Sequence, residues 1–267
     1  MPTVPDYIRF SLMVTLAITI GGLFLVKNAV VGPYRILVVL MTTFLILYLY
    51  LLSVRSGLVA FNCLGVVTLI WLLTKRKYKQ ALGVGVVLLG LPWLSFLCFP
   101  TFHHKYYNTR DDVGRIEKVS SANNFSLVGR VYSYKVGLQI AQAHPLVGVG
   151  KADMENEVAV YYQADFPDIE PSAYLLPHNQ FLYYLVAFGG LGLLFFIGCF
   201  YYPLYWAVNR LGPIMVAQYL IISLSFLAEY TLDQKNQVGL LFTLLFLLLP
   251  INGGLPSPRS EVDWRPR

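Results

Sequence analysis

Long uncharged apolar runs, separated by short polar breaks, dominate the chain. Runs near the length a bilayer requires, about 17–25 residues, occur at 8–26, 35–53, 57–74, 81–99, 180–203, 212–228 and 237–251. No alternating period-two pattern accompanies them, and in lipid an open segment satisfies its backbone only as a helix. The pattern predicts an all-α fold: a polytopic transmembrane helical bundle of about seven spans, forming a single membrane domain over 1–267.

Between the fourth and fifth runs the pattern changes. Residues 100–178 are mixed polar and rich in Tyr, Asn, Asp and Arg. A structureless loop of that length is uncommon, so a large, partly helical water-facing loop is expected. Inside it Leu127, Val131, Tyr134, Leu138 and Ala141 recur at helical spacing, and His144-Pro145 ends the pattern. That predicts a helix over about Ser126–Ala143, with this stripe packed on the bundle or resting in the headgroup layer. Gly148-Val149-Gly150 reads as a flexible turn. Asp153, Glu155, Glu157, Asp165, Asp168 and Glu170 follow as an acidic stretch, and Pro171 to Pro177 lead to His178-Asn179 at the mouth of the next run.

Charge sets the orientation. Lys75, Arg76, Lys77 and Lys79 lie in a short loop between two runs, which the positive-inside tendency places in the cytoplasm. Lys27, Arg35, Arg210 and the tail with Arg259, Arg265 and Arg267 fall on the same side. The Ser53–Gly57 turn, the 100–178 loop and the turn after Glu229 then face the other side, the periplasm of a bacterium. This count starts the chain outside without a cleavable signal, which reads as the later part of a longer protein.

Composition agrees with the pattern. Charged residues make up 13% and hydrophobic residues 57%, against roughly 25% charged in soluble domains. The net charge of +6 fits cytoplasmic loops and anionic lipid better than nucleic acid. Cys63, Cys98 and Cys199 are odd in number and lie in apolar runs, so neither a disulfide framework nor a zinc site is expected.

A few polar residues could carry chemistry. Arg55 sits in a tight outer turn, where a guanidinium either snorkels to headgroups or binds phosphate in bidentate fashion. Arg130 is a second phosphate clamp or else a solvated helix charge. Lys135 nearby is first a solvated or interfacial charge and second a substrate contact. His178 titrates near neutrality and could accept a hydroxyl proton. Asn179 could orient it, bind hydroxyls, or simply cap a helix. Glu229 ends a run and needs a partner, which could be an arginine or an acceptor hydroxyl. His103-His104 has no partner at metal-ligand spacing. The acidic stretch lacks a calcium-loop pattern, and Gly148-Val149-Gly150-Lys151 lacks the rest of a nucleotide phosphate loop, so no metal or cofactor is expected.

The order of these features resembles the O-antigen ligase and polymerase family of bacterial envelope glycosyltransferases. The resemblance runs through Ser53-Val54-Arg55-Ser56-Gly57, then Gly129-Arg130, then His144-Pro145-Leu146-Val147-Gly148-Val149-Gly150. It continues with Pro177-His178-Asn179-Gln180-Phe181-Leu182, Gly189-Gly190-Leu191-Gly192, Glu229 and Gln237-Val238-Gly239. It covers roughly residues 40–250. The turn reads Val-Arg-Ser-Gly where the family more often has Ser-Arg-Gly, and the family has further spans before it.

The resemblance implies an enzyme of the bacterial inner membrane, active on the periplasmic side. Its donor would be a glycan on undecaprenyl pyrophosphate, and its acceptor a hydroxyl of lipid A-core or another lipid-linked repeat. Arg55 and Arg130 would hold the pyrophosphate, with Lys135, Asn179 and Glu229 as further substrate contacts. His178 would take the acceptor proton in an inverting, metal-independent displacement. A polymerase of the same family is the alternative. A lipid-linked sugar flippase is the rival from another class, disfavoured because charge gathers at one face rather than at mid-span.

Overall fold

The structure is a computed structural model that describes residues 7–27, 29–98, 100–206 and 212–233. Every regular element among them is helical. In chain order these are α1 (Tyr7–Val26), α2 (Pro33–Leu52), α3 (Arg55–Thr74), α4 (Tyr78–Cys98), α5 (Pro100–Gly114), α6 (Ser126–Ala143), α7 (Met154–Asp165), α8 (Gln180–Trp206) and α9 (Pro213–Ala228). Short 3-10 turns cover Val119–Asn123 and Pro171–Ala173.

Five helices, α1 to α4 and α8, are long and apolar enough to cross a membrane. The sequence pattern predicts about seven. The run at 212–228 forms α9, an apolar helix of only 16 residues, because Pro213 sets its start. The run at 237–251, together with Arg210 and the basic tail, lies outside the described residues. The outward faces suit lipid. Ile36, Leu40, Phe44 and Leu47 form an exposed stripe on α2, and Leu82, Val86, Leu89 and Trp93 form one on α4. In water such stripes would be large apolar patches; in a bilayer acyl chains cover them.

The described residues fall into two compact units. In the first, α1 packs on α2 and α3, and α3 packs on α4. Residue type sets the closest approach. Gly57 lies against Ser11 and Leu49, and the Thr15 hydroxyl donates to the Gly57 carbonyl at 3.1 Å. Any larger residue at 57 would push α3 away from α1.

The second unit contains α5 to α8 and residues 223–233. Its core joins Val128, Tyr132, Val136 and Ile140 of α6 to Met154, Val158 and Tyr162 of α7 and to Tyr183, Val186 and Ala187 of α8. The limits of α6 match the sequence expectation, but the expected stripe is buried only in part: Ala141 lies in the core. Leu138, one of the residues expected to pack, is 51% exposed. Apolar residues stand on two sides of the helix, Leu127, Val131 and Leu138 on one and Val128, Val136 and Ile140 on the other, so periodicity alone could not choose a face. Small residues chose it: Gly129 meets Leu175, and Gly137 meets Pro177 and Leu182. They let neighbouring segments approach the Val128–Ile140 side.

Helix α8 is broken at Gly189, where φ is 66° and ψ is −170°. A break strands backbone groups on both sides, and the 145–150 segment satisfies them. The Val149 and Gly150 N–H groups donate to the Val186 and Ala187 carbonyls, each at 2.9 Å. In return the Gly190 and Leu191 N–H groups donate to the Pro145 and Leu146 carbonyls at 2.8 and 3.2 Å. The turn expected to be flexible is therefore pinned. Gly148 has φ 68°, and a Cβ there would overlap the backbone at Val186 and Ala187. Gly150 has φ 84° but open space around it. Gly150→Ala should then cost only the left-handed backbone penalty, about 1–2 kcal/mol. Gly148→Ala adds overpacking of about 1–3 kcal/mol, so its thermal midpoint in detergent should fall further below wild type.

Candidate functional site

The Ser53–Gly57 turn belongs to the first unit. Ser53 adopts a left-handed conformation, φ 50°, and its N–H closes α2 onto the Leu49 and Tyr50 carbonyls. Its hydroxyl donates to the Tyr50 carbonyl at 2.8 Å. This tight closure leaves Arg55 as the first, exposed residue of α3. The basic cluster around Lys75 to Lys77 lies at the far end of the same 20-residue helix, about 30 Å away at 1.5 Å per residue. Arg9, which the sequence reading passed over inside an apolar run, is 7% exposed. It lies at the same end of the first unit as Arg55, because neighbouring Ser11 touches Gly57.

The second unit brings Arg130, His178 and Glu229 together. Arg130 projects from α6 one turn before Tyr134. The Tyr134 hydroxyl donates to the His178 carbonyl at 2.8 Å and lies 3.2 Å from the Leu227 carbonyl. One phenol thus ties His178, two residues before α8, to the end of α9, just ahead of Glu229. Burial pushes the Tyr134 hydroxyl above its ordinary pKa, against the pull of Arg130 and a hydrogen bond with Asn179.

The His178 ring is mostly enclosed. Its Nδ1 is 2.9 Å from the Leu176 carbonyl, and its ring stands perpendicular to Tyr230 at 5.6 Å. A carbonyl only accepts, so Nδ1 carries the proton of the neutral imidazole. Nε2 is then left with its lone pair, the form a base requires. Burial pushes the imidazole pKa below its ordinary value; the Leu176 hydrogen bond and Glu229 oppose that shift, and Arg130 reinforces it. The downward shift favours the uncharged ring at neutral pH.

Asn179 caps α8. Its Oδ1 accepts from the Phe181 and Leu182 N–H groups at 3.0 and 3.1 Å. Lys135 is exposed, with Nζ 4.5 Å from the centre of the Tyr132 ring. Five residues beyond Arg130, it lies about 140° round the helix from that guanidinium. His103 packs edge-on against Tyr107 at 4.8 Å in α5. Glu155 and Glu157 open α7, where carboxylates suit the helix dipole.

Residues the sequence reading did not single out complete the surroundings. Buried Gln180 donates to Asp233 Oδ2 at 2.9 Å and accepts from the Leu232 N–H at 2.8 Å. Lys151 reaches Asp233 Oδ1 at 2.6 Å. Tyr230 stacks on Tyr183 at 5.0 Å. These contacts fasten the 229–233 turn over the start of α8, which holds Glu229 beside His178. The one sequence cue was position: Gln180 adjoins His178-Asn179, and Asp233 follows Glu229 by four residues in the turn after α9.

A search of curated proteins finds no match to this chain. The family model described as O-antigen ligase matches residues 36–197. That range includes the Arg55 turn, Arg130, the 145–150 segment, His178 and the Gly189 break, and it stops short of Glu229 and Asp233. Well over half of the chain is matched, and five apolar helices accompany the match; the chain belongs to the O-antigen ligase family, as a multi-pass bacterial membrane protein whose kind acts on lipid-linked glycans.

Proposed function

We propose that the chain transfers a glycan from undecaprenyl pyrophosphate to an acceptor hydroxyl of the lipid A-core kind, on the periplasmic side of the inner membrane. The observation that carries this reading is His178 with Nδ1 held 2.9 Å from the Leu176 carbonyl, set in the fields of Arg130 and Glu229. Nε2 takes the acceptor O–H proton. The freed oxygen pair forms the new bond to the anomeric carbon from the face opposite the leaving group. The bond from that carbon to the pyrophosphate oxygen breaks, and its electrons pass to the pyrophosphate. Inversion follows from a single displacement.

Charge growing on the leaving group needs preorganised positive partners. Arg130 supplies one, and we assign Arg55 as a second contact with the donor pyrophosphate from its motif. Guanidinium forks suit this work without a metal ion. Glu229 orients the acceptor hydroxyl. Asn179 serves by capping α8 beside His178, and Lys135 by meeting headgroup phosphate. The outer orientation rests on the basic cluster at the opposite end of α3 from Arg55.

The test is glycan transfer by purified protein in vesicles carrying the lipid-linked donor and lipid A-core. Glycosylated lipid A-core is expected. Longer lipid-linked chains would make the protein a polymerase. Movement of donor across the bilayer without any new glycosidic bond would overturn the transferase reading.

The reaction should also titrate. His178 works only as the neutral ring, and its pKa lies below the ordinary 6.5. Transfer should hold from neutral into mildly acidic pH, then fall as pH drops through the lowered value and Nε2 becomes protonated. A single-turnover pH series measures this acid limb.

A further inference from the structure

The 145–150 segment has a second feature beyond pinning the α8 break. Its tip is apolar and bare: Leu146 is 66% and Val147 71% exposed, and Pro145 is exposed beside them. Three consecutive apolar residues left bare at the tip of a segment call for an occupant. Polar groups bracket them, with His144 3.9 Å from Glu157 and Lys151 2.6 Å from Asp233.

The backbone pairing fixes the depth of this tip. Pro145 and Leu146 accept from Gly190 and Leu191, so the tip lies level with the first turn after the break. Before the break, Tyr183, Val186 and Ala187 are buried in the core shared with α6 and α7. After it, Leu191, Leu194 and Phe195 are 60%, 68% and 74% exposed. The stretch from Gly190 to Trp206 rises about 25 Å at 1.5 Å per residue, close to the roughly 30 Å of bilayer hydrocarbon. The change from protein-packed to lipid-facing α8 therefore falls at Gly189, and Leu146 and Val147 continue the lipid-facing surface sideways.

We propose that the Pro145–Val147 tip dips into the hydrocarbon of the leaflet that α8 enters, and that acyl chains are its occupant. Continuity with the exposed stripe of α8 favours lipid over protein. A patch of three residues is also far smaller than the roughly 800 Å² per partner of a stable protein interface. His144 and Lys151 stay at headgroup level on either side. The inference rests on α8 as a membrane span and is independent of the chemistry assigned to His178.

The experiment places a nitroxide at Leu146→Cys and Val147→Cys, singly, in full-length protein with Cys63, Cys98 and Cys199 replaced by Ala. The protein is reconstituted in phosphatidylethanolamine–phosphatidylglycerol vesicles. Phe195→Cys is the lipid reference and the exposed Asn156→Cys the water reference. Collision with oxygen relative to a nickel chelate should be severalfold higher at 146 and 147 than at 156, and close to that at 195. A ratio at 147 like that at 156 overturns the proposal while leaving α8 as a span. Low collision with both reagents overturns it too, because a protein neighbour, such as a second copy of the chain, then covers the tip. A water-like ratio at 195 removes the span and the proposal together.

Discussion

Arg130→Ala is expected to slow glycan transfer by about 10²–10³-fold without loss of membrane insertion. The side chain is partly exposed on α6, outside the Val128–Ile140 face that builds the core, so its removal leaves the fold intact. What goes is a cation preorganised beside His178, which in the proposed step meets charge arising on the pyrophosphate. Arg130→Lys should recover part of the rate, since the charge returns but the planar fork does not. The loss should fall on turnover more than on donor affinity, because the leaving group gains charge only as the bond breaks. Measured rates of single-turnover transfer, with donor binding followed separately, check both parts. Unchanged transfer would remove Arg130 from the mechanism.

His178→Ala is expected to cost about 10²–10⁴-fold, the usual range for losing a general base. The substitution keeps the backbone carbonyl that accepts from Tyr134, so the link between α6 and the start of α8 survives. The Leu176 carbonyl loses a partner, at about 1 kcal/mol for one hydrogen bond, and Tyr230 loses its edge-on ring contact. A large drop in turnover beside a fall of only a few degrees in thermal midpoint therefore marks chemistry rather than folding. The residual rate should also lose its acid limb, because no imidazole remains to titrate. Arg55→Ala belongs to the same assay, and loss of transfer there supports its assignment to the donor.

The sequence revealed some of this and hid some of it, for physical reasons. The limits of α6 were legible because helical spacing stops at His144-Pro145. Apart from Ala141, its buried face was not, because Leu127, Val131 and Leu138 are as apolar as Val128, Val136 and Ile140, and only the approach permitted by Gly129 and Gly137 decides between them. The Gly189 break was hidden in an unbroken apolar run. A glycine in such a run marks a break only when a distant segment supplies hydrogen bonds, here 145–150. Motif order grouped Arg55, Arg130 and His178; Arg130 and His178 share one compact unit with Glu229, while Arg55 belongs to the other. The tautomer of His178 was not legible, since it depends on where the Leu176 carbonyl points. The clasp of Gln180, Asp233 and Lys151 joins residues 53 and 82 positions apart, a separation no local pattern records. Of the seven expected spans, five are helices long and apolar enough to cross a membrane; the run at 212–228 gives a shorter apolar helix of 16 residues, and the run at 237–251 lies outside the described residues.

The most direct test is the midpoint of the acid limb of single-turnover transfer, compared among wild type, Arg130→Ala and Glu229→Gln. Burial sets the imidazole low, Arg130 holds it lower and Glu229 lifts it. Removing the cation should move the midpoint to higher pH, and removing the carboxylate should move it to lower pH. Opposite shifts identify His178 as the titrating base between these two charges. A midpoint that stays fixed in both variants would contradict that assignment.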